Sequence, residues 1–315
     1  AQDISSLLWS YSALDIQELE LIYAIADEIV VELGRALDTS TAPLSSGSPA
    51  SVAGLVGRGR PGDPHVVLDL KDRCVIQKPP GWEVDQYCIR AVDAREKKLL
   101  STFLRGLLPP RQWPIVCDAE HRFGFLHRID VPCSGLILTA KTYAAYYDLE
   151  LQLSAGKMLR DYLVLCHGWL PPPCFEVSAR IFWEEDLAGG GRSSPAGGRV
   201  HRRGRPSRTR VKALAHLVRA GEALSLVALR IATGRRHQIR IHVAHLGHPV
   251  VCEGRYSADV AFQSDRAWCP RNFLHRYRLA FLDGDGAEQE AATPLPQDLV
   301  GVLSGYPLGP RNAQA

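Results

Sequence analysis

HRIDVPCSGLILTAKT, residues 127–142, places a carboxylate on a turn and follows it at once with an apolar run. Asp130 sits two residues after Arg128 and just ahead of Pro132, Ser134 and Gly135. The proline and the glycine force a turn, and GLILTAK (135–141) reads as the strand that anchors it. A carboxylate on a rigid turn beside a guanidinium is held ionised. An ionised Asp there can serve as nucleophile or base. Read alone, the same spacing also fits an Asp that caps its own turn and pairs with Arg128.

Outward from this strand the pattern mixes strands and helices. VVLDL (66–70) and CVIQK (74–78) alternate as a hairpin, and REKKLLSTFLRGLL (95–108) and TYAAYYDLELQLSAG (142–156) read as helices. DYLVLCHGW (161–169), EVSARIFW, VKALAHLVR, LSLVALRI and NFLHRYRLAFL (272–282) read as strands, and HQIRIHVAHLG (237–247) as a helix. Without a regular βαβ repeat, the expected class is α+β, with a large, mainly antiparallel mixed sheet flanked by helices. Ahead of it, residues 1–36 carry helical periodicity, and 37–64 shift to a Ser/Thr/Pro/Ala/Gly linker. The expected domain spans 65–303, with a basic low-complexity loop at 187–209 and a tail at 304–315.

The 315 residues are 46% hydrophobic and 23% charged, which excludes a disordered, collagenous or coiled-coil protein. No apolar run approaches the ~20 residues of a membrane-spanning helix. Eight scattered cysteines without a C-x-x-C point to free thiols in a reducing intracellular compartment, cytoplasm or organelle. The chain opens on Ala1 and its single methionine, Met158, is internal, so a piece of something longer is expected.

Two further segments could carry chemistry. In TGRRHQIRIHVAHLGHP (233–249), Arg235, Arg236 and Arg240 surround the start of a helix, where exposed N–H groups attract anions. Arg240 would share a helical face with Arg236 and His237. A solvated basic helix is the plain alternative. His242, His245 and His248 invite a metal reading, but no acidic or Cys residue accompanies them and the arginines repel a cation. In RDYLVLCHGW (160–169), Tyr162 could offer its ring to a base or its hydroxyl to a proton transfer, or be a core tyrosine. No H-E-x-x-H, G-x-S-x-G or Walker-type loop is present.

In this order the segments resemble the RluA-type pseudouridine synthases, from Val66 to Leu303. VIQKPPGW (75–82) is similar to their N-K-P-x-G segment, and HRIDVPCSG to H-R-L-D-x-x-T-S-G. Arg160 to Tyr162 resembles K-x-Y, and GRPSRT (204–209) resembles G-K-x-A-x-T. TGRRHQIRIHVAHLGHPVV resembles T-G-R-x-H-Q-I-R-x-H-x-x-x-x-G-H-P, and ATPLPQDL (292–299) the closing A-P-L-P. The departures are Ile129 for Leu, Cys133 for Thr, Arg160 for Lys, and Glu253 for Asp in CEGRYS (252–257). DISSLLWSYSALDIQELELI separately resembles one octotricopeptide-type RNA-binding repeat; a plain amphipathic hairpin fits it equally.

The resemblance implies isomerisation of uridine to pseudouridine in RNA, with rRNA or tRNA as partner and without metal or cofactor. It implies that Asp130 acts on the ribose, by attack at C1′ or proton removal at C2′, and that Arg240 keeps it ionised. It implies that Tyr162 stacks on the uracil and that Arg128 fills the gap left by a flipped-out base. His127, Arg235, Arg236, His237 and Gln238 would line the substrate, and Arg202, Arg203, Arg205 and Arg208 would meet phosphate. An inactive RNA-binding protein of the same fold and a His-rich metal hydrolase are the competing readings. The net charge of +3 hides segregation: Leu187 to Gly221 holds nine Arg or Lys and no Asp or Glu, and removing those nine leaves −6. That basic stretch is expected to contact RNA phosphates.

Overall fold

The computed structural model describes residues 62–85, 97–171, 174–183 and 197–304. The helical hairpin expected over 1–36, most of the linker expected over 37–64, residues 187–196 of the basic stretch and the expected tail beyond Ser304 lie outside them. Described elements fall into two compact units. Nine strands form a mixed sheet flanked by helices, as the periodicities imply.

One unit comprises described residues of Arg35–Asp161 and His275–Thr293. Its strands β1 (His65–Asp69) and β2 (Arg73–Lys78) form the antiparallel hairpin anticipated from sequence. Trp82–Glu83 (β3) pairs in parallel with Lys98–Leu99 (β4). This pairing delays helix α1 to Leu100–Leu107, later than the 95–108 periodicity suggested. β5 (Ser134–Ala140) is antiparallel to β2, and helix α2 (Tyr143–Ser154) follows it. Thr142 caps α2 by accepting from the Ala145 amide at 3.1 Å. Cys74, Val75, Ile76, Leu100, Leu104 and Leu136–Leu138 are buried together in this unit's core. Buried Arg73 donates to Asp148 of α2 at 2.8 Å and to the Leu282 carbonyl at 2.8 Å, so one guanidinium ties three elements.

The other unit comprises described residues of Tyr162–Leu274 and of Pro294–Ala315. It holds most of β6 (Leu159–His167), then β7 (Phe175–Ser178), β8 (Ile181–Phe182), β9 (Arg199–Val200), β10 (Arg208–Arg219) and β11 (Glu222–Ile231). The stretch expected to be a continuous basic loop is therefore partly strand. Arg199 and Val200 pair with β8, and β10 begins at Arg208 because Arg208–Val211 pair with β7. β10 and β11 form a long antiparallel hairpin with a register shift between Ala213 and Ala215. Helix α3 (Gln238–His245) and helix α4 (Asp259–Arg266) follow. α3 ends at Gly247, whose φ of +86° lets the His248 amide return to the Val243 carbonyl at 2.9 Å.

The first unit is completed by β12 (Leu274–Leu282, whose first residue belongs to the second) and β13 (Glu288–Ala292). β12 runs parallel to β5, with Arg276 opposite Gly135, and β13 pairs antiparallel with β12. Helix α5 (Gln297–Ser304) closes the described chain. Among the described residues no helix is long and apolar enough to cross a membrane.

Candidate active site

The Asp130 turn is fastened from three directions within its unit. The Cys133 amide donates to the Asp130 carbonyl at 3.0 Å, which closes the turn through main-chain atoms. The hydroxyl absent at Cys133 is therefore not needed for that closure. Lys78, fully buried, donates from Nζ to the carbonyls of Pro79 and Trp82, both at 2.9 Å, and reaches that of Val131 at 3.4 Å. The Gly81 amide donates to the same Val131 carbonyl at 2.8 Å. The KPPGW segment is thus a clamp on the residue after Asp130.

The third fastening is Arg276, only 1% exposed. Its Nη1 donates to His127 Nδ1 at 2.7 Å and to the Leu136 carbonyl at 2.9 Å, and its Nη2 reaches the Arg128 carbonyl at 3.5 Å. One guanidinium so links both arms of the turn. Sequence reasoning missed it, because NFLHRYRLAFL reads only as a strand and the partners lie more than a hundred residues away. Gly135 has φ +131°, and a Cβ there would sit 2.6 Å from the Arg276 nitrogen and closer still to its oxygen. Gly135→Ala is expected to cost about 2–5 kcal/mol, combining left-handed strain with overpacking. A urea titration reads this directly, and an unchanged midpoint would contradict the packing described.

His127 was anticipated at the substrate. It is buried and accepts from Arg276 through Nδ1. Burial, then the charges of Arg276 and Arg160, hold its pKa well below 6.5. The folded ring stays neutral where the unfolded ring takes up a proton, so stability falls as pH drops below about 6.5 toward the folded pKa. His127→Gln is expected to flatten that acid limb, by up to ~1.4 kcal/mol per pH unit. Urea midpoints of both proteins at mildly acidic and neutral pH measure the difference. Arg128 is exposed, and Asp130 is half-buried.

In the second unit, Tyr162 is buried on β6. Arg240 is also buried and makes a two-pronged ion pair with fully buried Glu253, Nε to Oε2 at 2.5 Å and Nη2 to Oε1 at 2.7 Å. Glu253 also accepts from Asn272 Nδ2 and from the Arg255 amide, both at 2.9 Å. The glutamate noted only as a departure is thus an anchor of Arg240. Arg236 and His237 do not share a helical face with Arg240, because α3 starts at Gln238 and His237 caps it at φ +54°. Arg235 and Arg236 stay exposed ahead of the helix.

Gln238 is buried and knits the segment to β10. Its Nε2 donates to the Arg208 carbonyl at 2.9 Å and Thr209 Oγ1 at 3.0 Å. Its Oε1 accepts from the Thr233 hydroxyl at 2.8 Å and the Arg235 amide at 3.0 Å. Thr209 also meets His242 Nδ1 at 2.9 Å, while His242 Nε2 donates to the Ala179 carbonyl at 3.2 Å. Burial lowers the His242 pKa, so the ring is neutral. Both ring nitrogens are engaged by protein, which removes the central residue of the metal reading. Arg202, Arg203, Arg205 and Arg208 are exposed in this unit.

The family model for RNA pseudouridylate synthase matches residues 75–245. The chain is 34% identical over 182 residues to ribosomal large subunit pseudouridine synthase C of Haemophilus ducreyi, covering 57% of this chain and 54% of that protein. It is 29% identical over 219 residues to ribosomal large subunit pseudouridine synthase D of Escherichia coli strain K12, covering 64% and 60%. The chain thus spans about half the length of the curated relatives it matches. Among solved structures it is similar to human RNA pseudouridylate synthase domain containing 1, at 25% identity and TM-score 0.54, covering 76% of this chain and 87% of that one. Asp130, Tyr162 and Arg240 lie within the matched span, and the chain belongs to the RNA pseudouridylate synthase family, of the RluA type.

Proposed function

We propose that this chain converts uridine to pseudouridine in RNA, with Asp130 acting on the ribose. The observation that carries the reading is the Asp130 turn, which Lys78, Gly81, Gly135 and Arg276 hold rigidly inside a sequence that matches the family model. Such fixation suits a group that must meet one atom of a substrate. The reaction breaks N1–C1′, turns the uracil and joins C5 to C1′. C5 loses its proton and N1 takes one up, so the step is an isomerisation with no net redox change.

Arg240, held by Glu253, is the cation assigned to keep Asp130 ionised. Tyr162 is assigned to the uracil, and Arg128 to the space or phosphate of the flipped nucleotide. The relatives' names support ribosomal RNA of the large subunit as the substrate class. Cys74, Cys117, Cys133, Cys166, Cys174, Cys252 and Cys269 are free thiols, which suits the reducing compartment we assign to the protein. Tritium release from RNA carrying 5-tritiated uridine tests the activity, with Asp130→Asn as its control.

A further inference from the structure

The second unit carries an aromatic and basic surface that the proposed chemistry does not use. β8 and β9 are too short to stand alone, and they are seated by a small core of Ile181, Trp183 and Ile241, with Val200 and Tyr256 against it. Gly198 permits that seating, since a Cβ there would strike the Trp183 ring. β9 is thereby held beside α3.

Two guanidinium groups lie on rings at this place. Arg236, just ahead of α3, sits 4.3 Å from the Trp183 ring centre. Arg199 sits 5.3 Å from the Phe182 ring centre, and the two are cross-strand partners in the β8–β9 pair. Phe182 and Trp183 are buried, while both arginines are exposed. Each ring therefore supports a planar cation from beneath. Arg202, Arg203 and Arg205 follow β9 on the same basic stretch, and no acidic residue occurs between Leu187 and Gly221.

We propose that Arg199 and Arg236 are stacking platforms for unpaired bases of single-stranded RNA, with the neighbouring arginines meeting its phosphates. A guanidinium is planar and weakly hydrated, so it stacks on a base where an ammonium does not. Unpaired bases splayed from RNA are recognised by such planes and by aromatic rings. A pure polyanion site would have no use for paired ring supports, whereas a base-stacking site needs its guanidinium planes held in a fixed attitude. The inference deepens the proposed function, because it names the form of RNA that this unit receives.

The test separates stacking from charge. The variant Arg199→Lys/Arg236→Lys keeps both charges and removes both planes. Its affinity for a uridine-rich single-stranded RNA oligonucleotide is expected to fall about ten-fold or more. Its salt dependence, its affinity for the duplex form and its affinity for heparin are expected to match wild type. The Arg199→Ala/Arg236→Ala variant is expected to weaken all three ligands and to flatten the salt dependence. Unchanged single-strand binding by the lysine variant overturns the proposal. So does an equal loss for RNA and heparin, which would mean electrostatic contact alone, or a loss confined to the duplex. Melting temperatures of both variants guard against unfolding. The readout is binding, so a wild-type protein that released no tritium would remove the isomerase reading and leave this result standing.

Discussion

Asp130→Asn is expected to lower tritium release by at least ~10²–10⁴-fold, the range set by a positioned base, and further if the aspartate is a nucleophile. RNA affinity should stay within a few-fold of wild type. The reason lies in how the turn is held. Its described fastenings run through the His127 ring and main-chain atoms of Arg128, Asp130, Val131 and Leu136, and Asn keeps all of them. Asn has the size of Asp without its charge, so the substitution removes the charge and keeps the main-chain bracing of the turn. A single-turnover assay with the binding constant measured on the same RNA reads both quantities. Turnover near wild type would end the assignment of Asp130. Loss of binding together with turnover would instead mean that the carboxylate organises the fold of the turn.

The second large effect falls on Glu253. Its carboxylate is fully buried and holds buried Arg240 by two hydrogen bonds. Breaking one partner of a buried pair leaves a charge without compensation, so Glu253→Gln is expected to cost about 3–5 kcal/mol in unfolding free energy. Gln can still accept one bond from Arg240 and one from Asn272, which places it at the milder end, and Glu253→Ala at the harsher. Glu253→Asp restores the charge at shorter reach and should recover part of the loss. Urea denaturation at neutral pH ranks the three. A wild-type midpoint in all of them would show that Arg240 takes its anchorage elsewhere. Turnover should fall with stability in the same order, because the arginine proposed to orient Asp130 is loosened.

The alternating hairpin at 66–78, the apolar strand after Gly135 and the capped helix at Tyr143 are each set by local periodicity, and the structure follows them closely. β13 was not legible: EQEAA is acidic and poor in β-branched residues, and it forms a strand because β12 offers an edge. α4 lacks a strong apolar face over DVAFQSDR, and only Asp265 in it is buried. The turn that carries Asp130 was legible from its proline and glycine. The residues that hold it were not, since Arg276 meets His127 through tertiary structure and a single sequence carries no mark of that. Glu253 was visible as a substitution within a motif, yet its pairing with Arg240 needed coordinates. The basic stretch announced its charge, while its strand pairing depended on β7 and β8 as partners.

The Arg276–His127 contact spans 149 positions of the chain. Loop closure over that length is slow compared with local helix formation, so the Asp130 turn acquires its final brace late in folding. On a ribosome the segment carrying Asp130 emerges long before β12 has been made. A nascent chain ending before Leu274 would hold the Asp130 turn without the guanidinium that braces it. The brace on the Asp130 turn is thereby deferred until β12 has been made.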